Sequence, residues 1–195
     1  VTVVCMAKPL AHTAGSSMHI HQSVVEMGSG RNVFSDEAGD PTETFRHFIG
    51  GQQAAMAEFT ALFAPNVNSY QRLCHPFASP NNACWSHDNR AAGLRIPASS
   101  PVARRVENRL PGADANPYLA IAASLAAGLH GIENRLEPSA PIQGEFSVPE
   151  SLSLPCTLHA ALERLKRSQL AKELFGAEFI EGYIASKTLE LTSFL

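Results

Sequence analysis

Met18-His19-Ile20-His21-Gln22-Ser23 has the two-residue period of a β-strand, which predicts an extended segment over Met18–Val25. His19, His21 and Ser23 point to one side, and Met18, Ile20 and Gln22 to the other. Gly15, Ser16 and Ser17 lead into it, where a flexible backbone can approach a ligand closely. Two imidazoles on one strand face suit a shared metal ion, or one metal ligand beside one phosphate donor, or two ordinary hydrogen-bonded histidines. The same alternation recurs in Arg104-Arg105-Val106-Glu107-Asn108-Arg109-Leu110, where Arg105, Glu107 and Arg109 share a face. A carboxylate between two arginines is either a structural ion pair or a metal ligand whose neighbours hold an anion.

Between these strands the pattern changes to helical. Asp40-Pro41-Thr42-Glu43 reads as a helix start capped by Asp40, followed by Phe45, Phe48, Ile49, Met56, Phe59, Leu62 and Phe63 at helical spacing up to Pro65. Asn116-Pro117 caps a second helix to about Asn134, carried by Leu119, Ile121, Leu125, Leu129 and Ile132 and predicted to be buried on more than one side. Pro138–Pro155 reads as a linker, and further helices are expected over 157–175 and 177–193. Val1–Ala7, 83–86, 93–97 and 104–110 read as extended. The fold class is therefore α+β, with a helical C-terminus.

The chain has 195 residues, 45% of them hydrophobic and 17% charged, which is ordinary globular composition. No apolar run approaches the ~20 residues of a membrane span, so no membrane partner is expected. A formal charge of −3 argues against a generic nucleic-acid binder. That average hides a basic window: from Arg72 to Arg109 six arginines face two acids, Asp88 and Glu107. Arginine favoured over lysine, and clustered, suits carboxylate or phosphate recognition. Cys5, Cys74, Cys84 and Cys156 form no CxxC and are expected to be buried, reduced thiols in a cytoplasmic protein. The chain opens on Val1 in an apolar run, which reads as a strand entered partway through a longer protein. A zinc hydrolase built on His19 and His21 lacks a third ligand at suitable spacing.

The segments Lys8-Pro9, Ala14–Ser23, Asn68-Ser69-Tyr70-Gln71-Arg72-Leu73, Asn89-Arg90 with Arg95-Ile96-Pro97, Arg104–Arg109 and Ala115-Asn116-Pro117-Tyr118-Leu119 occur in this order and spacing in the glutamine synthetase family, which the chain resembles over nearly its whole length. The resemblance covers the C-terminal part of the catalytic domain. It implies an antiparallel sheet of short strands, an incomplete barrel backed by helices, with the N-terminal β-grasp domain and the first part of the catalytic domain absent. It implies ATP-dependent ligation of glutamate to an amine through a γ-glutamyl phosphate, with Mg²⁺ or Mn²⁺. By resemblance His19 and Glu107 ligate the metal, and His21, Gln22, Ser23, Arg90 and Arg95 bind ATP. Gly15, Arg72 and Arg109 bind glutamate, and Arg90 and Arg109 serve the phosphoryl transfer.

The sequence also departs from the family. Ala78 stands where glutamine synthetase proper has an acidic flap residue, Val102 where it has a lysine, Ala14 where it has an asparagine and Ser17 where it has a glycine. With the Ala14-Gly15 loop and Gly112–Leu119, these departures resemble the γ-glutamylputrescine and γ-glutamylpolyamine synthetase branch, whose acceptor is a primary amine. Ammonia as acceptor, and a non-catalytic homologue retained for binding or assembly, are the alternatives. The family implies a ring-forming homo-oligomer, and the 195-residue piece alone is expected to be inactive.

Overall fold

The structure is a computed structural model that describes residues 1, 3–74, 79–144 and 146–194. Four short strands form one sheet: β1 (Ile20–Gln22), β2 (Trp85–His87), β3 (Leu94–Ile96) and β4 (Val106–Asn108), in the order β1-β4-β3-β2. β1 and β3 flank β4 antiparallel, whereas β2 runs parallel to β3. The sheet is thus mixed and open at both ends, not wholly antiparallel. The class is α+β as expected.

The register fixes the two faces of the sheet. Ile20 and Leu94 both oppose Asn108, while His21 and Arg95 both oppose Glu107. One face is therefore apolar and packs on helices, and the other gathers charge. Among the described residues of 1–7 none is in a strand, and Val1, Val3, Val4 and Met6 are exposed. A strand exists only by pairing, and the apolar pattern alone supplies no partner.

The helices are α1 (Glu43–Met56), α2 (Thr60–Phe63), α3 (Val67–Leu73), α4 (Pro117–Glu133), α5 (Leu158–Arg167), α6 (Gln169–Phe175) and α7 (Ala177–Phe194). α1 is capped by Thr42, whose hydroxyl accepts from Phe45 N at 3.2 Å, not by Asp40. Asp40 is held in a turn, its N–H donating to Asp36 Oδ1. The predicted continuous helix to Pro65 breaks after Met56, whose carbonyl accepts from Thr60 Oγ1 at 2.9 Å. The predicted helix over 157–175 likewise divides at Ser168, which ends α5 and caps α6 through Ala171 N at 2.8 Å.

α4 starts as the Asn116-Pro117 signal predicts, with Asn116 Oδ1 accepting from Tyr118 N and Leu119 N. Its burial is narrower than the expected burial on more than one side. Ala120, Ala123, Ser124, Ala127, Gly128 and Gly131 are buried, while Ile121, Leu125 and Leu129 are 40–48% exposed. The small residues let α4 lie against α1 in backbone contact: a Cβ on Gly51 would sit 2.1 Å from Ala127 O, and one on Gly131 would sit 2.2 Å from His47 O.

The core runs from the sheet through α1 and α2 to the C-terminal helices, with the Phe34 ring centroid 5.2 Å from those of both Phe45 and Phe48 in tilted contacts and Phe59 5.5 Å from Phe175 edge-on. Only Cys84 of the four cysteines is buried; Cys5, Cys74 and Cys156 are free and exposed, which corrects the expectation of buried thiols. Among the described residues no helix is long and apolar enough to cross a membrane.

Candidate functional site

Because Glu107 lies on the central strand β4, both neighbouring strands point side chains at it. Its Oε1 accepts from Arg109 Nη1 at 2.8 Å and lies 2.9 Å from His19 Nδ1; its Oε2 accepts from Arg95 Nη1 at 2.6 Å. The carboxylate is only 3% exposed and His19 29%. Burial alone would raise the carboxyl pKa, but the Arg95 hydrogen bond and the charges of Arg109 and Arg95 outweigh it and hold it below the ordinary value. His19 is shifted downward, first by burial and then by Arg109, against the pull of Glu107. Its contact with Glu107 is therefore a hydrogen bond from a neutral ring rather than an ion pair. Its other nitrogen, Nε2, lies 2.9 Å from Ser17 Oγ.

The arginines differ in how they are held. Arg95 bridges Glu107 and Asp88, with Nε donating to Asp88 Oδ1 at 3.1 Å, and this holds the Asp88 carboxyl low. Arg72 is buried on α3, donating through Nη2 to the Leu110 carbonyl and through Nη1 to Ser79 Oγ at 3.3 Å. Burial, with the nearby Arg109 charge, lowers its pKa to about 10, so it remains a cation near neutrality. Arg72 Nε and Arg109 Nε are buried without a hydrogen-bond partner among the described residues. Two unpartnered guanidinium donors in one buried region are what a carboxylate or phosphate ligand would satisfy. Gly15 lies against Arg72: a Cβ there would stand 2.6 Å from Ala7 O and 2.7 Å from Arg72 Cγ. Only glycine admits that approach.

The structure thus brings His19, Arg95, Glu107 and Arg109 together, with Gly15 lying against Arg72. His21 is exposed on the same face and accepts from Arg105 Nε at 3.1 Å through Nδ1, leaving Nε2 to carry the proton. Ser23 is exposed just past β1. Gln22 points away from that face, as strand alternation predicts: its Oε1 accepts from Ser124 Oγ at 2.6 Å and Gln52 Nε2 at 2.9 Å on the helix side. Arg90 stands apart, exposed on the wall of a cleft of about 460 Å³ shared with Ser79, Asn81 and Phe146. Arg104 is structural, donating to Phe34 O, Ser35 Oγ and Gly39 O and lying over the Phe45 ring. Ala78 lies outside the described residues.

Sequence reasoning named Ser17 and Asp88 without their partners and did not single out Ser79. Ser17 stands two residues before His19, so the strand period carried its signal; Ser79 and Asp88 meet their arginines only through the fold. As metal donors, Glu107 and His19 offer an ionised carboxylate and a neutral imidazole from adjacent strands, a donor set that fits a divalent ion. Among the described residues no group of three or more His, Cys, Asp or Glu is placed to hold a metal on its own.

A family model described as the glutamine synthetase catalytic domain matches residues 1–195. The chain is similar to a γ-glutamylethanolamide synthetase of Streptomyces coelicolor, 43% identical over 92% of this chain and 38% of that protein. It is similar to a glutamate–isopropylamine ligase of a Pseudomonas species, 40% identical over 98% of this chain and 42% of that protein. A glutamine synthetase of Streptomyces viridochromogenes is also 40% identical, over 95% of this chain and 42% of that protein. The chain spans about two-fifths of the length of the curated relatives it matches.

Proposed function

We propose, from the premise that this chain belongs to the glutamine synthetase family, that it is the C-terminal portion of the catalytic domain of a ligase joining glutamate to a primary amine at the expense of ATP. The observation that carries this reading is the pair of buried, incompletely partnered guanidinium groups, Arg72 and Arg109, beside the His19–Glu107 donor pair. Ligation through an acyl phosphate needs both features, a carboxylate clamp and a place to neutralise phosphate charge.

His19 and Glu107 would hold Mg²⁺ or Mn²⁺, and a bound ion would supply neutralisation of the transferring phosphate. Arg109 and Arg72 bind and orient glutamate carboxylate, with Gly15 giving the substrate backbone its closest approach. Arg95 holds its charge toward the nucleotide, His21 presents an N–H outward, and Ser23 continues that face. Gln22 contributes its backbone only. Arg90, from its own cleft, reaches the transferring phosphoryl group. The proposed acceptor is a primary amine or polyamine, supported by two relatives, one named for a γ-glutamyl amide of ethanolamine and one for isopropylamine as the joined amine. The proposed whole protein is a cytoplasmic ring-forming homo-oligomer.

The test is ADP release by the whole protein with glutamate and, in turn, ammonium, ethanolamine, isopropylamine and putrescine. The expected result is release that needs both glutamate and an amine and saturates with a primary amine. Saturation by low ammonium with no response to amines would replace that acceptor by ammonia. No glutamate-dependent release with any acceptor would overturn the ligase reading.

A further inference from the structure

Cys74 ends α3 and Cys156 precedes α5, 82 positions later, yet the fold sets both thiols against one amide. Asn81 Nδ2 donates to Cys156 Sγ at 3.1 Å and lies 3.7 Å from Cys74 Sγ, and Cys74 Sγ donates to the Cys156 carbonyl at 3.5 Å. Partial burial and a hydrogen bond with the Cys156 side chain push the Cys74 thiol up to about 12. Both residues are exposed, and the ligation chemistry uses neither. From this juxtaposition we infer that Cys74 and Cys156 are a reversible dithiol–disulfide pair, oxidised by a low-molecular-weight disulfide such as glutathione disulfide.

Cys156 Sγ accepts the closer hydrogen bond from the Asn81 amide, which favours a sulfur anion there, so Cys156 is assigned as the attacking sulfur. Its thiolate attacks one sulfur of glutathione disulfide and releases one glutathione thiolate. Cys74 then gives up its proton and attacks Cys156 Sγ in the mixed disulfide, releasing the second glutathione. The protein pair loses two electrons and two protons, and the reagent gains them as two thiols. The bond fastens the end of α3 to the segment before α5. Arg72 lies two residues before Cys74 on that helix, so the cross-link also restrains the guanidinium that the ligase reading assigns to glutamate.

The test reads sulfur alone and does not depend on the ligase reading. The full chain is incubated with glutathione disulfide and quenched with N-ethylmaleimide. It is then digested with trypsin plus chymotrypsin, because Cys84 shares the tryptic peptide 73–90 with Cys74. Non-reducing mass spectrometry should find the Cys74 and Cys156 peptides joined with loss of two hydrogens, and separated by dithiothreitol. Cys74→Ser should leave a glutathione adduct on Cys156 that the unmodified sequence does not accumulate. The inference is overturned if both thiols are recovered free while the exposed Cys5 carries glutathione, or if Cys74 and Cys156 end as separate adducts. The map of the unmodified sequence decides the matter alone should Cys74→Ser fail to fold.

Discussion

Two guanidinium groups and one imidazole converge on the Glu107 carboxylate, which is almost wholly removed from water. Glu107→Gln keeps the shape and removes the charge, leaving Arg109 buried without its counter-ion. Breaking a buried pair in this way costs about 3 kcal/mol or more, which a urea denaturation curve would read. Asp88 is different, because it is open to solvent and held low chiefly by Arg95, with smaller contributions from the Ala98 backbone and the Arg90 charge. Its folded pKa lies below the 3.8 of the free side chain, so its small contribution is present above about 3.8 and lost as pH falls through the folded value. Carboxyl NMR should show a midpoint below 3.8 that rises in Arg95→Ala. The convergence on Glu107 was half legible in the sequence. Strand alternation places Arg105, Glu107 and Arg109 on one face, but the same logic could not tell that Arg105 would turn to His21 while Arg109 turned to Glu107. That choice is made by β1 across the sheet, nearly ninety positions away in the chain.

Where α1 crosses α4, glycine decides the spacing. Gly51→Ala gains up to about 1 kcal/mol in helix propensity. It also drives a methyl into Ala127 O and the Gly131 backbone, atoms that cannot rotate aside. Overpacking of that kind costs about 1–3 kcal/mol, so the net effect is destabilising. Gly182 on α7 is the control: nothing lies within 4 Å of a Cβ there, and Gly182→Ala should stabilise by ~0.5–1 kcal/mol. Thermal or urea unfolding of the two variants should move in opposite directions. Helix ends were legible where the cap is local, as at Asn116-Pro117. They were misread where a competing local bond intervenes, as when Asp36 engages Asp40 and leaves Thr42 to cap α1. The outward Ile121, Leu125 and Leu129 could not be foreseen, because hydrophobicity marks a face as fit for burial and says nothing of which neighbour is close enough to take it.

Across the whole molecule, Phe59 joins the sheet-and-α1 core to the C-terminal helices through Phe175, and Tyr183 Oη adds a bond to Ala61 O at 2.7 Å. A continuous core of this size should unfold as one unit. The single tryptophan, Trp85, sits in edge strand β2, whereas circular dichroism reports chiefly on the helices. The two transitions should therefore coincide. Phe59→Ala should lower stability by about 3–5 kcal/mol and shift both together. Separate midpoints would mean that the two parts fold independently. Arg95 gives the molecule one more property. It holds Asp88 and Glu107 at once, one carboxylate in solvent and the other sealed inside. When a ligand claims Glu107, Arg95 can let go without losing its counter-charge. Binding at this point is then an exchange of partners, whose free energy is a difference between two occupied states, and Asp88 sets how small that difference is.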